Sequence, residues 1–123
     1  MKVFREILED YGVDYVPTME RFMGNEKMYI RLLDMFFKDD NIQKLGTAIA
    51  QQDYTAAFEA AHTLKGVVGN MGLSPLYTVV CAMVEPLRAG EKRSDYADMY
   101  KAIQSEYDKV YGLRQRLKEG EFT

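Results

Sequence analysis

Along this chain apolar residues return every three or four positions, and nowhere do apolar and polar residues alternate for long. That spacing is the period of an amphipathic helix, so every element is expected to be helical. Val3, Phe4, Ile7, Leu8 and Tyr11 mark a short first helix, which Gly12 would stop. Asp14 can cap a second short helix, with Pro17 in its first turn, running to about Met23. Gly24 and Asn25 break the chain, and Asn25 can cap a helix bearing Met28, Tyr29, Leu32, Leu33, Phe36 and Phe37. The run KDDN (38–41) predicts a bend or break, after which Ile42, Leu45, Ala48 and Ile49 continue a helical face to Gln52. Asp53 suits the cap of the next helix, which GLSPL stops. Ser74 is expected to cap the helix after that, with Pro75 at its first position. There Leu76, Val79, Val80, Met83, Val84 and Leu87 form the buried stripe, and Gly90 ends it. Pro86 falls inside that stripe, so the helix is expected either to end near Glu85 or to bend there. Ser94 opens a long last helix with Tyr96, Met99, Ile103, Tyr107, Val110, Leu113 and Leu117 on one face.

Short connections between long helices make sequential neighbours antiparallel. The expected fold is all-α: an antiparallel four-helix bundle with short N-terminal helices packed on it. It forms a single domain, with short helices in 1–24, the bundle in 25–119 and a frayed tail in 120–123. A chain of 123 residues can bury a core without covalent staples. The single cysteine, Cys81, excludes an internal disulfide framework and fits a reducing compartment. Net charge is −3 with both signs mixed, and no basic block suits nucleic acid or an anionic membrane surface. No apolar run reaches the length of a membrane span, and the charged start MKVFREILEDYG lacks the apolar centre of a signal peptide. A cytoplasmic, monomeric, stand-alone protein is expected.

One stretch stands out. AAHTLKGVVGNMG (60–72) holds the only histidine, His62, and three of the nine glycines, although a glycine inside a helix costs roughly 1 kcal/mol relative to alanine. With Leu64 at the centre of the buried face, Ala57, Ala60, Ala61, Val67, Val68 and Met71 fall within roughly 60° of it. His62 falls roughly 160° away, on the solvent side. Thr55, Phe58 and Glu59 share that side one to two turns earlier, and Gly66 and Gly69 one and two turns later. Lys65 flanks His62 at the i, i+3 spacing that lets side chains meet. Gly66 and Gly69 are therefore expected to clear the surface beside the imidazole, and Gly72 to end the helix. A lone histidine is ordinarily a surface or packing residue. Lysine at +3 with glycine at +4 and +10 from it, however, is a chance event of roughly one in a few thousand.

The chemistry this grouping can carry is narrow. One histidine and one cysteine on different helices do not supply the three or four ligands of a metal site. No serine or threonine stands at a nucleophile elbow, and no glycine-rich nucleotide loop is present. An imidazole free in solution titrates at about pH 6.5, so it is largely neutral and nucleophilic near neutrality. It can attack phosphorus to form a phosphohistidine, a reaction that depends mainly on positioning and charge stabilisation. Lys65 would hold the phosphoryl oxygens, and a partner would bring the metal ion and the carboxylate that donates or accepts the group.

At these residues the sequence resembles the histidine-containing phosphotransfer (HPt) domains of multistep phosphorelays, whose motif is H-x-x-K-G with a further glycine six residues on. Here HTLKGVVGNMG supplies His62, Lys65, Gly66 and Gly72. Upstream, ERFMGNEKMYIRLLDMFF (20–37) is similar to the family's segment before the bundle, an Arg-Phe pair ahead of a Gly-polar-acidic turn. The resemblance covers roughly residues 14–118. It implies that His62 accepts the phosphoryl group on Nε2, that Lys65 stabilises it, and that Gly66 leaves room for a docking receiver domain. The partners implied are receiver domains of response regulators and hybrid histidine kinases, which also supply Mg2+; no intrinsic cofactor and no kinase activity are implied. Val67 and Val68 stand where the family has small residues, and Pro86 follows the glutamate the family often carries, here Glu85. Two other readings use the same face. Phe58, Glu59, Gly66 and Gly69 are expected to contact the partner, and one of these other readings is a receiver-docking module that uses this face, Phe58 included, and carries no phosphate. The other is a small enzyme with His62 as base and Glu59 as its helper, for which a convex helix face is a poor pocket.

Overall fold

A computed structural model describes residues 3–120, which form seven helices: α1 (Phe4–Tyr11), α2 (Tyr15–Arg21), α3 (Glu26–Lys38), α4 (Asn41–Ala50), α5 (Tyr54–Asn70), α6 (Ser74–Arg88) and α7 (Tyr96–Gly120). The expected frayed tail at 120–123 lies outside the described residues, apart from the backbone of Gly120. α5 packs on α4 and α6, α7 packs on α6 and α4, and these four close the bundle. α1 and α3 lie against α7. The heptad-like stripes meet in one core, in which Leu33, Leu45, Leu64, Val68, Leu76, Val80, Met83 and Ile103 are fully enclosed. Burying such a side chain contributes about 1.5–3 kcal/mol, so the core outweighs any single surface contact.

Local signals set most boundaries. Gly12 adopts a left-handed conformation (φ +119°) after α1. Asn25 accepts from the Met28 N–H and Asp53 from the Ala56 N–H, each satisfying a backbone donor that the helix itself leaves free. At the expected break, Asp39 is extended and its carboxylate accepts from the Asn41 backbone and side chain, both at 2.7 Å. Tyr100 of α7 lies over Gly46 of α4 and donates to the Ile42 carbonyl at 2.9 Å.

Two expectations need correction, the starts of α6 and α7. Leu73, not Ser74, is the N-cap of α6; Ser74 already lies in the helix, and its hydroxyl donates back to the Gly72 carbonyl. α6 does not end near Glu85 but runs through Pro86 to Arg88. The missing N–H falls in the last turn, and the proline ring is buried there. α7 starts at Tyr96 rather than Ser94, and just ahead of it Arg93 engages the Asp95 carboxylate. Met28 stays exposed, since α3 buries Tyr29, Leu33 and Phe36 instead.

Candidate functional site

The wheel for α5 holds in three dimensions. Ala57, Ala60, Ala61, Leu64, Val68 and Met71 are buried, while Val67 is half-buried at the edge of the stripe. His62, Thr55, Glu59 and Gly66 face solvent. The 17-residue helix that carries them is anchored at its far end by residues distant in sequence.

The C-terminal carbonyls of a helix lack intrahelical donors. Here each one finds a partner. The Leu73 N–H donates to Val68 and the Gly72 N–H to Gly69, the pairing that a left-handed residue permits after a helix end. Gly72 takes that conformation at φ +67°, and a Cβ there would collide with the Thr18 side chain. Arg21 of α2 donates through Nε to the Asn70 carbonyl (2.9 Å) and through Nη2 to Gly69 (3.2 Å). Its charge also suits the negative end of the helix dipole. The buried Tyr29 hydroxyl donates to the Met71 carbonyl at 2.8 Å, and burial holds that phenol well above its ordinary pKa. Phe22 meets the Tyr29 ring edge-on, with centroids 5.3 Å apart.

The face around His62 is built more loosely. Phe58 lies one turn earlier with its ring stacked on the imidazole, 5.5 Å between centroids and 16° between planes. Lys65, half-buried, reaches across to α6, where its Nζ stands 3.7 Å from Glu85 Oε1. Arg88 Nε stands 3.6 Å from Glu85 Oε2, and the Arg88 guanidinium lies 5.3 Å from the Phe58 ring centroid, within cation–π range. Nothing lies within 4 Å of where a Gly66 Cβ would be. Between Phe58 and Gly66, His62 is therefore open to a large partner.

One expected site residue is covered, and another also borders a second surface. Gly69 does not extend the cleared strip: Tyr77 of α6 covers it, and a Cβ at Gly69 would come within 2.9 Å of that ring. Glu59 lines a cleft between α4 and α5 with Lys44, Thr47 and Thr63, and its carbonyl takes the Thr63 hydroxyl. It makes no hydrogen bond to His62 among the described residues. Glu85 and Arg88 are the site neighbours that α5 alone does not reveal. The signal lay in α6, where Tyr77, Cys81, Glu85 and Arg88 follow at helical spacing along one flank of the buried stripe.

No helix among the described residues is long and apolar enough to cross a membrane. No group of three or more His, Cys, Asp or Glu among them is placed to hold a metal ion. His62 is exposed, with Lys65 one turn on and open space at Gly66, and the family model of the Hpt domain matches residues 31–116. The chain belongs to the Hpt domain family. Hpt domains are phosphotransfer modules of phosphorelays that work with receiver domains, and are carriers rather than enzymes. No curated protein and no solved structure matched this Hpt domain in the comparisons made.

Proposed function

We propose that this Hpt domain accepts a phosphoryl group on His62 from the aspartyl phosphate of one receiver domain and passes it to another. The observation that carries the reading is the exposed imidazole on α5 with Lys65 across its flank and an empty surface at Gly66. The Nε2 lone pair forms the N–P bond as the P–O bond to the aspartyl carboxylate breaks. The electron pair leaves on that carboxylate, and Nδ1 keeps its proton. The reverse sequence delivers the group to the next aspartate. Phe58 orients the ring, Lys65 offsets the charge of the phosphoryl oxygens, and Gly66 admits the receiver, which supplies Mg2+. The chain works as a cytoplasmic monomer.

The test is transfer from a panel of aspartyl-phosphorylated receivers, reading acid-labile, alkali-stable phosphate on the chain. The parent should be labelled and His62→Gln should not, with the variant keeping the parent's thermal stability. Label on His62→Gln equal to the parent's would overturn the assignment. Binding of a receiver without label on the parent would mark a docking module instead.

A further inference from the structure

Gly66 and Gly69 share the solvent side of the α5 wheel and meet different surroundings. A Cβ at Gly66 would touch nothing, whereas one at Gly69 would come within 2.9 Å of the Tyr77 ring. A glycine inside a helix weakens it, and at Gly69 the missing side chain gives a tyrosine of α6 its seat. Tyr77 is nevertheless 36% exposed, one of the few large apolar side chains left so. Its hydroxyl engages the Cys81 side chain one turn on, which raises the phenol's pKa. The ring is therefore held from two sides, and the rest of it faces solvent.

Its place relative to His62 follows from the helix. Gly69 lies within roughly 20° of His62 around α5 and about 10 Å further along the axis. In the other direction Phe58 is stacked on the imidazole, about 6 Å away along the axis. Two rings thus bracket the open gap at Gly66. A specific protein interface covers about 600–800 Å² on each partner, a disc of roughly 14–16 Å radius. A footprint of that size centred on His62 includes Tyr77. Tyrosine contributes large, rigid contact area at little cost in side-chain entropy, which makes it a frequent anchor of interfaces.

We infer that Tyr77, seated on Gly69, is a residue by which this chain chooses among receiver domains. It favours a receiver that presents an apolar side chain about 10 Å from the reactive aspartate and rejects one that presents a bulky or charged group there. The inference rests on the carrier reading above and concerns docking alone; Tyr77 takes no part in the bonds to phosphorus.

Transfer kinetics are measured from aspartyl-phosphorylated receivers to the full chain. Uptake from phosphoramidate, a small donor that needs no docking surface, is the second readout. Tyr77→Ala should raise KM for the receiver the parent prefers by about five- to twentyfold, leave kcat within about twofold, and narrow the spread of kcat/KM across receivers. Tyr77→Phe keeps the ring and should stay within about twofold of the parent. Gly69→Ala pushes the ring off its seat and should raise KM less than Tyr77→Ala does. All three should take phosphate from phosphoramidate at the parent's rate. In the parent, the Tyr77 ring resonances should shift when unphosphorylated receiver is added. A Tyr77→Ala KM equal to the parent's for every receiver overturns the inference while the carrier reading stands. So do Tyr77 resonances that the receiver leaves unmoved, a readout that depends on no variant folding. So does a loss of rate that appears equally with phosphoramidate, which marks Tyr77 as a support of His62 rather than a docking contact. A parent that takes up no phosphate on His62 from phosphoramidate or any receiver overturns the carrier reading, and the inference falls with it.

Discussion

At the C-terminal end of α5 the carbonyls of Gly69, Asn70 and Met71 are held by Arg21, Tyr29 and a glycine-dependent turn. Two turns back, His62 has a stacked ring, and its charged neighbours meet in ion pairs longer than hydrogen bonds. The first region is fixed by buried or short contacts that are costly to lose. The second is made of exposed contacts worth little individually. On the proposed carrier reading, His62 accepts a group and gives it up, which suits weakly held charged neighbours on a firmly anchored helix. Fixing one end of α5 supplies the second condition without stiffening the first.

The sharpest way to break the firm end is Gly72→Ala. It forces a left-handed residue to carry a Cβ into Thr18, at a cost of about 3 kcal/mol. A thermal melt should show Tm lowered by about 10 °C; an unchanged Tm would mean that the turn is not a constraint. Next is Tyr29→Phe, which strips the Met71 carbonyl of its donor and should lose about 1–2 kcal/mol in urea unfolding. Burial raises the Tyr29 phenol, so folding favours the protonated form. That contribution is complete below the unfolded phenol's pKa of about 10 and is lost as the pH rises above it. Parent stability should therefore fall between about pH 9 and pH 11 more steeply than that of Tyr29→Phe.

On the open face the signs reverse. Gly66→Ala meets nothing and should gain up to about 1 kcal/mol of helix stability, yet slow transfer from receivers by crowding the docking surface. Gly69→Ala must displace Tyr77 and should gain less than Gly66→Ala; an equal gain would place Gly69 on the open face after all. The smallest effect on stability belongs to Lys65→Ala, within about 0.5 kcal/mol of the parent because its partner is exposed. The same substitution should slow phosphoryl transfer without abolishing it, and an unchanged rate would remove Lys65 from the mechanism.

What the sequence made legible follows from how far each signal reaches. The outward direction of His62 depends on the apolar positions of one helix, Ala57 to Met71, and α5 obeys them. Asn25 and Asp53 act over three residues and cap as expected. Gly69 shares the wheel position of open surface, but what covers it is Tyr77 on another helix, and helical periodicity contains no information about a neighbour's side chain. Arg21 and Tyr29 reach α5 across 49 and 42 residues of sequence. Neither contact has a local signature, although Arg21 lies within the upstream segment that resembles the family. Glu85 was visible as a residue type; its place between two cations required the packing of α6 on α5.

The donors at the end of α5 bear on where this domain starts. The family match begins at residue 31, but Arg21 and Tyr29 lie ahead of it, as does Thr18 against Gly72. A protein trimmed to the matched segment would keep His62, Lys65 and the four bundle helices, short of the last residues of α7. It would also leave three carbonyl groups without the side-chain donors that α2 and α3 bring, each a loss on the order of 1 kcal/mol. The unit that folds is longer than the unit that is recognised, and expression boundaries drawn at the motif would cut through the bracket that steadies it.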